Sequence, residues 1–592
     1  MSENKIAKIP VASHGLHKHD YNYPWLSSIN FGDVMPCYIN TIRKGERDNP
    51  KAGVFSQLMP IAHNAFATGR FNFKAIFVPY KLVWRPWYSF DQETDFVSGG
   101  VTTRVTAYPY VEHGILGNAF FDVANGYVTA DGNVDNFDVV EYENGTTSYY
   151  YHLTDSGRRV VRILGALGCM PSFIKGDKHT LNVLPIMCYL KAFADYYFPN
   201  NYIGNTAYLA LSKFFEVDDI DLSSQSFALL DALSVASLNF YETSVFDLAW
   251  DNPATPNINA TLPQVKVTDV TNDNTNPAAV ANYSGGVQSP TATDLKPSNG
   301  TPFIGGTKTG SNYSSNVITQ YVLEVLKSVS MWAKRRQLSG ARLLDRFLVS
   351  RGLTLGNDSA RISYLIGQRN IEIQVSGVEN TTDTNLGELA GRGVASSGNQ
   401  PLSFDCRPDD DGILLVLVSP LPDANFPVLL DGFACRKDFM DNYHGEYDKF
   451  GAAAVPSRLI QSTLDGRTNS YAAGNDAVFG FLNQYWDEVQ ERPRLLGDFI
   501  LQSRGAEELK AYHTFRLLSP DLARHHSYDF IRMQDNSQYQ RLFYSARQEN
   551  LMLFLRWYGS QFKEKLPLGD SYNWDDDELN RKVSVVVGGA QK

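Results

Sequence analysis

The stretch "DDDGILLVLVSP", residues 409 to 420, contains an unbroken aliphatic run from Ile413 to Val418. A strand with one face in water alternates apolar and polar residues, whereas a run without alternation belongs to a strand covered on both faces. Whatever this chain folds into must therefore place apolar material on each side of that segment. Asp409 to Asp411, just ahead of it, read as a strand-entry turn. Three adjacent carboxylates suit calcium in principle, but the alternating spacing of an EF-hand loop is missing.

Other segments carry the two-residue period of half-buried strands. In "FNFKAIFVPYKLVW", Phe71, Phe73, Ala75 and Phe77 share a face, and Pro79 limits the far end to an edge or bend. "RNIEIQVSGV" sets Ile371, Ile373 and Val375 on one side. "VVEYENGTTSYYYHL" reads as a hairpin turning at Asn144-Gly145. "LNVLPIMCYLKAFADYY" predicts a short helix with Met187, Leu190, Ala194 and Tyr197 on one stripe. "NVITQYVLEVLKSVSMWAKRRQL" predicts a longer one, striped by Ile318, Val322, Val325, Leu326 and Met331 or Trp332. "ARLLDRFLVSRG" adds a short second helix. Spaced strands, few helices and no internal repeat favour a mainly β sandwich or jelly roll over a βαβ fold.

Residues 251 to 317 are dominated by Asn, Thr, Ser, Gly and Pro. Such a segment buries too little apolar surface to offset its ordering entropy, and reads as a polar surface insertion. The 592-residue chain as a whole is 43% hydrophobic and 12% aromatic, with 32 Tyr and 34 Phe, which fits a real core plus subunit interfaces. Its formal charge of −11 argues against a free nucleic-acid binder but leaves room for a local basic face.

Cys37, Cys169, Cys188, Cys406 and Cys435 are widely spaced and never in CxxC order, against both a disulfide scaffold and a zinc module. The first twenty residues lack a signal-peptide core, and no stretch nears the roughly 18 apolar residues of a membrane helix, so synthesis in the cytoplasm is expected. The sequons at Asn144, Asn259, Asn282, Asn299 and Asn312 then read as products of Asn/Thr-rich loops.

No phosphate-binding, zincin, nucleophile-elbow or dinucleotide motif is present, and neither a catalytic residue nor a cofactor is expected. "GELAGRG" (Gly387, Gly391, Gly393) has the wrong glycine spacing and reads as a loop. "HGLHKHD" (His14, His17, His19, Asp20) offers metal ligands, but in a polar N-terminal arm, residues 1 to 28, with no predicted element to preset their geometry. "WDDDE" (Asp575 to Glu578) reads as part of a solvated C-terminal tail, residues 565 to 592. Lys334, Arg335 and Arg336, followed by Arg342, Arg346 and Arg351, form the densest basic region. With Trp332 they are candidates to grip phosphates and stack bases, charge balance between subunits being the rival reading.

The block from Ile29 to Phe90 resembles the start of the major capsid proteins of microviruses, the small icosahedral single-stranded DNA phages. The family's F-V-P-x-[RK]-L-x-W-x-x-W signature is matched by Phe77, Val78, Pro79, Lys81, Leu82, Trp84 and Trp87. "LPIMCYLKAFADYYF" is similar to the family's Leu-Pro-initiated helix. "RNIEIQVSGVENTTDTNLGELAGRGVA" resembles its strand followed by an L-G-x-x-x-G-x-G loop, here Leu386, Gly387, Gly391 and Gly393. "DDDGILLVLVSPLPD" is similar to the apolar strand that follows. The turn "RKGERDNP" departs from the family's Leu-Pro-Gly-Asp, and the last hundred or so residues match poorly.

The resemblance implies a single domain built as an eight-stranded antiparallel jelly roll with long loop and helical insertions. It implies about sixty copies, grouped as pentamers, closing a T=1 icosahedral virion shell around a circular single-stranded DNA genome. Further partners implied are a small basic DNA-binding protein, other minor virion proteins and a host cell-surface receptor such as a glycan, with assembly in the bacterial cytoplasm. Lys334 to Arg336 become candidate genome-facing residues, and residues 251 to 317 a surface excursion for host recognition. The competing reading is a secreted or surface carbohydrate-binding sandwich or adhesin, drawn from the Asn/Thr/Tyr-rich loops.

Overall fold

The computed structural model describes residues 15–59, 69–130, 139–144, 147–174, 176–199, 205–240, 351–379, 389–396, 400–422 and 551–565. To these it adds short pieces at 8–12, 270–272, 295–297, 306–309, 312–315, 432–436, 439–445, 452–456, 478–483, 485–488 and 582–586, and a few single positions. Eight long strands organise it: β1 (His17–Ile29), β2 (Met35–Ile42), β3 (Arg47–Leu58), β4 (Gly69–Pro79), β5 (Tyr364–Glu379), β6 (Leu389–Ser396), β7 (Gly412–Pro422) and β8 (Leu551–Lys563). They run in the order β1-β8-β3-β6-β5-β4-β7-β2, every neighbour antiparallel, and the short strand Leu402–Ser403 adds to β3. The molecule is mainly β, as expected.

β5 belongs to both halves of this ladder. Its first part, Tyr364 to Ile373, pairs with β4, and its second, Gln374 to Glu379, pairs with β6. The inner faces of the two halves meet in one core. Val54 of β3 and Leu551, Leu553, Leu555 and Trp557 of β8 join Phe71, Phe73, Ala75 and Phe77 of β4 and Leu414, Val416 and Val418 of β7. The Tyr38 ring of β2 lies 4.8 Å from that of Trp557. Strand alternation dictates this sorting: β3 buries every second residue, from Asp48 to Leu58.

The other face of the β5-β4-β7-β2 half is covered by helices from the chain between β4 and β5. These are α1 (His113–Phe121), α2 (Asp155–Ala166), α3 (Leu184–Tyr196), α4 (Thr206–Ser212) and α5 (Ser226–Val235). Ile76, Val78, Ile413, Leu415 and Leu417 point into this second core. β7 is thus buried at all eleven positions, even-numbered aliphatics facing the other sheet and odd-numbered ones the helices. That is the physical reason its sequence does not alternate.

α3 is the hub of the helical layer. Pro185 starts it, where its missing N–H costs no hydrogen bond, and the helix is buried on every side from Ile186 to Asp195. The stripe expected from its spacing is therefore only part of its contact surface. Thr154 caps α2 by accepting from the Gly157 N–H, and Asn205 caps α4 from Ala207. Gly157 is needed for close approach, since a Cβ there would lie 1.9 Å from the Tyr127 carbonyl oxygen. The expected hairpin is present, Val139–Asn144 pairing with Thr147–Leu153.

Two readings need correction. The N-terminal segment, read as an arm without secondary structure, holds the thirteen-residue strand β1 on the sheet edge. Pro24 fits there because an edge strand tolerates a missing donor. Gly391 and Gly393, read as loop, lie within β6, opposite Gly377 and Val375. Of the two expectations for Pro79, edge or bend, the bend holds: β4 is flanked by β5 and β7 and ends at Pro79 in the turn Tyr80–Leu82. Within the polar segment the described parts are two hairpins, Val270–Asn272 with Leu295–Pro297 and Gly306–Thr309 with Asn312–Ser315. In the helix predicted after it, residues 324, 328 and 331 are helical and exposed, so Met331 faces solvent in the single chain.

Candidate interaction surfaces

The signature residues form a corner between the two layers. Phe77 and Val78 end β4 with their side chains in opposite cores. Pro79 releases the chain from the sheet into a tight turn, Tyr80–Leu82. Lys81 pairs with Asp410 at 2.7 Å, and the Tyr80 N–H donates to the Asp411 carbonyl. The expected strand-entry turn at Asp409 to Asp411 is thus clamped to the corner, with Tyr88 donating to Asp410. Leu82 is buried, Trp84 and Trp87 lie in the helical-layer core, and the Tyr80 and Trp87 rings approach to 4.4 Å. The signature is architectural: it turns the chain out of the sheet and plugs the turn with aromatic volume.

The remaining predicted site residues divide simply. Lys334, Arg335, Arg336, Leu386, Gly387 and Asp575 to Glu578 lie outside the described residues. His17 and His19 sit on alternate positions of β1, with His19 Nε2 2.8 Å from the Lys565 carbonyl oxygen. Among the described residues no cluster of three or more His, Cys, Asp or Glu is arranged to hold a metal. Cys37, Cys169, Cys188 and Cys406 are buried and unpaired, and burial pushes the Cys169 thiol up to about 11. Such thiols pack as small apolar groups.

Two buried polar clusters tie the elements together. Asp48 of β3, at one end of the sandwich, accepts from Tyr38 at 2.6 Å, Asn40 at 2.5 Å and Tyr21 at 3.3 Å. Burial nevertheless holds its carboxyl above the usual range. Lys563 closes the cluster, donating to Asn40 and the Thr41 carbonyl, and burial lowers its ammonium pKa. Elsewhere Arg162 of α2 pairs with Asp33 at 2.9 Å, reaches Glu549 at 3.6 Å and donates to the Ser28 carbonyl. One guanidinium therefore joins the helical layer, the β1–β2 turn and the approach to β8.

A third cluster is on the surface. Asp177 accepts from Ser172 and from the His179 backbone, and its carboxylate lies 2.6 Å from His179 Nδ1 and 3.4 Å from His113. The hydrogen bonds from His179 pull its pKa down to about 2. The loop these contacts hold exposes Met170, Phe173 and Ile174. Phe433, Phe439 and Tyr443 are exposed on another segment, and Val97 and Val101 on the hairpin Asp95–Arg104. Apolar groups presented by rigidly held loops are suited to contacts with another molecule.

A further ordered surface is the outer face of the β1-β8-β3-β6 half. Register places its side chains in rows: Asn22, Tyr558 and Lys51; then Pro24, Arg556 and Gly53; then Leu26, Phe554 and Phe55; then Ser28, Met552 and Gln57. Leu26 is 72% exposed, Phe55 47% and Tyr558 37%. The sequence reading missed this face entirely. Its signal was the alternation of Leu551, Leu553, Leu555 and Trp557, which sends Met552, Phe554, Arg556 and Tyr558 outward. No protein-family model matches this chain, and no curated protein matches it.

Proposed function

We propose that this chain is the major capsid protein of a microvirus-like phage, a shell subunit built on an eight-stranded jelly roll. The observation that carries the reading is the strand order. The first and last long strands pair, the last is inserted between the first and third, and the fifth passes from one sheet to the other. Two four-stranded halves, β1-β8-β3-β6 and β2-β7-β4-β5, follow, which is the arrangement expected of two interlocked Greek keys.

Supporting it, the signature that carries the resemblance forms one structural corner, and several loops expose apolar side chains suited to contact with other copies. About sixty copies at −11 each would carry roughly −660, so enclosing DNA requires a segregated inner surface or a basic partner protein. The surface excursion at 251 to 317 is assigned to host contact; deleting 255 to 310 should spare assembly and impair adsorption.

Light scattering and negative-stain microscopy of the purified chain test the reading. Closed particles of about 4 MDa, from subunits of 66.1 kDa, are the expected result. A species that stays monomeric at every concentration and ionic strength would overturn it and favour a binding module instead.

A further inference from the structure

We infer that the outer face of the β1-β8-β3-β6 sheet is a stacking surface for single-stranded nucleic acid, and therefore the genome-facing side of the subunit. The inference rests on the capsid reading for its occupant and on this face for its location. Down β8 the outward side chains read Tyr558, Arg556, Phe554 and Met552, and beside them on β3 stand Lys51, Gly53 and Phe55. Outward positions along a strand are about 6.8 Å apart and adjacent strands about 4.8 Å, so one run of nucleotides spans several of these groups. Exposed rings alternating with cations are what sequence-tolerant single-strand binding uses: rings stack on base faces and cations follow the phosphates.

Charge selects the occupant. The chain is acidic, yet the described charges projecting from this face are Lys18, Arg47, Lys51 and Arg556 against Asp20. Lys18 pairs with Asp20, and Arg47 pairs with Asp405. Lys51 and Arg556 form no ion pair among the described residues; Arg556 donates only its Nε–H there, to Asn22. Gly53 lies between Lys51 and Phe55 on β3 and opposite Arg556, and a Cβ at Gly53 would meet nothing within 4 Å. That opening leaves a floor without a side chain between two cations and a ring, where a base could lie against the sheet.

The same open space makes Gly53 the clean test position. The full-length wild type and the variants Gly53→Glu, Lys51→Ala, Phe55→Ala and Tyr558→Ala are titrated with a fluorescein-labelled thymidine homopolymer, and particle formation is scored in parallel by microscopy. The expected result is intact shells with at least about tenfold weaker binding for Gly53→Glu and for each ring deletion. The slope of log affinity against log salt should fall by about 0.7 for Lys51→Ala. Unchanged affinity in all four variants, or a wild type that does not bind the strand, overturns the inference while leaving the shell reading intact. Loss of shells with affinity unchanged also overturns it, by showing that this face seats a protein. Failure of the wild type to form shells counts against the capsid reading and is read separately from the titration.

Discussion

Removing the Asp48 carboxylate would leave donors on Tyr38, Asn40 and Tyr21 without their acceptor in the buried end of the sandwich. Asp48→Ala should cost about 2–4 kcal/mol in thermal or denaturant melts, whereas Asp48→Asn, which keeps an acceptor oxygen, should cost clearly less. Arg162→Met removes the cation from Asp33, which is buried, and should cost about 3–5 kcal/mol by the same measurement. Asp177 gives the pH-dependent case. Its folded pKa is depressed to about 2 from 3.8, so its contribution is fully present above the usual carboxylate range and is lost as pH falls through about 2. Amide protection around Asp177, corrected for the intrinsic exchange rate, should therefore fall on acidification from about pH 4 towards about pH 2 in the wild type, and much less steeply in Asp177→Asn. None of these three carboxylates was legible in the sequence: Asp33 meets Arg162 only through the tertiary fold, while Asp48 and Asp177 bind near neighbours in a geometry that no sequence pattern announces.

Helices α1 to α5 are a lid on a sheet rather than a separate domain. Replacing residues 84 to 240 by a short linker would expose Ile76, Val78, Ile413, Leu415 and Leu417 together, and the product should pellet on expression while the parent stays in solution. The need for such a lid was legible in the aliphatic run of β7, and β4 and α3 were legible for similar reasons of pattern. β8 was not, because its outward positions include Met552, Phe554 and Tyr558, which blur the contrast between faces. β1 was not, because an edge strand carrying His, Asp, Asn and Pro has the composition of a loop. The basic run Lys334 to Arg336 was the conspicuous nucleic-acid candidate in the sequence. The sheet face outlined by Lys51, Arg556 and Tyr558 is assembled from residues more than five hundred positions apart, and only strand pairing reveals it.

For the whole molecule, opposite salt dependences are expected, on the capsid reading, of self-association and of DNA contact. Copies carrying −11 each repel, and raising ionic strength from about 0.01 M to about 0.15 M shortens the screening length from about 30 Å to about 8 Å. Shell formation followed by light scattering should therefore increase over that range, while retention of single-stranded DNA should decrease. A parallel fall in both would mean that DNA contact, not subunit contact, drives closure.

The position of β8 also governs when the protein can exist at all during synthesis. Ser28 and Glu549 hydrogen-bond across 521 intervening steps of sequence, and the strand after Glu549 slots between β1 and β3. Until the ribosome has delivered it, the nascent polypeptide has two unsatisfied strand edges and no finished outer sheet. On the capsid reading, neighbouring polysomes would therefore hold molecules unable to lock together, and competence for association would arrive in one step, only once β8 has followed β1 by more than five hundred residues.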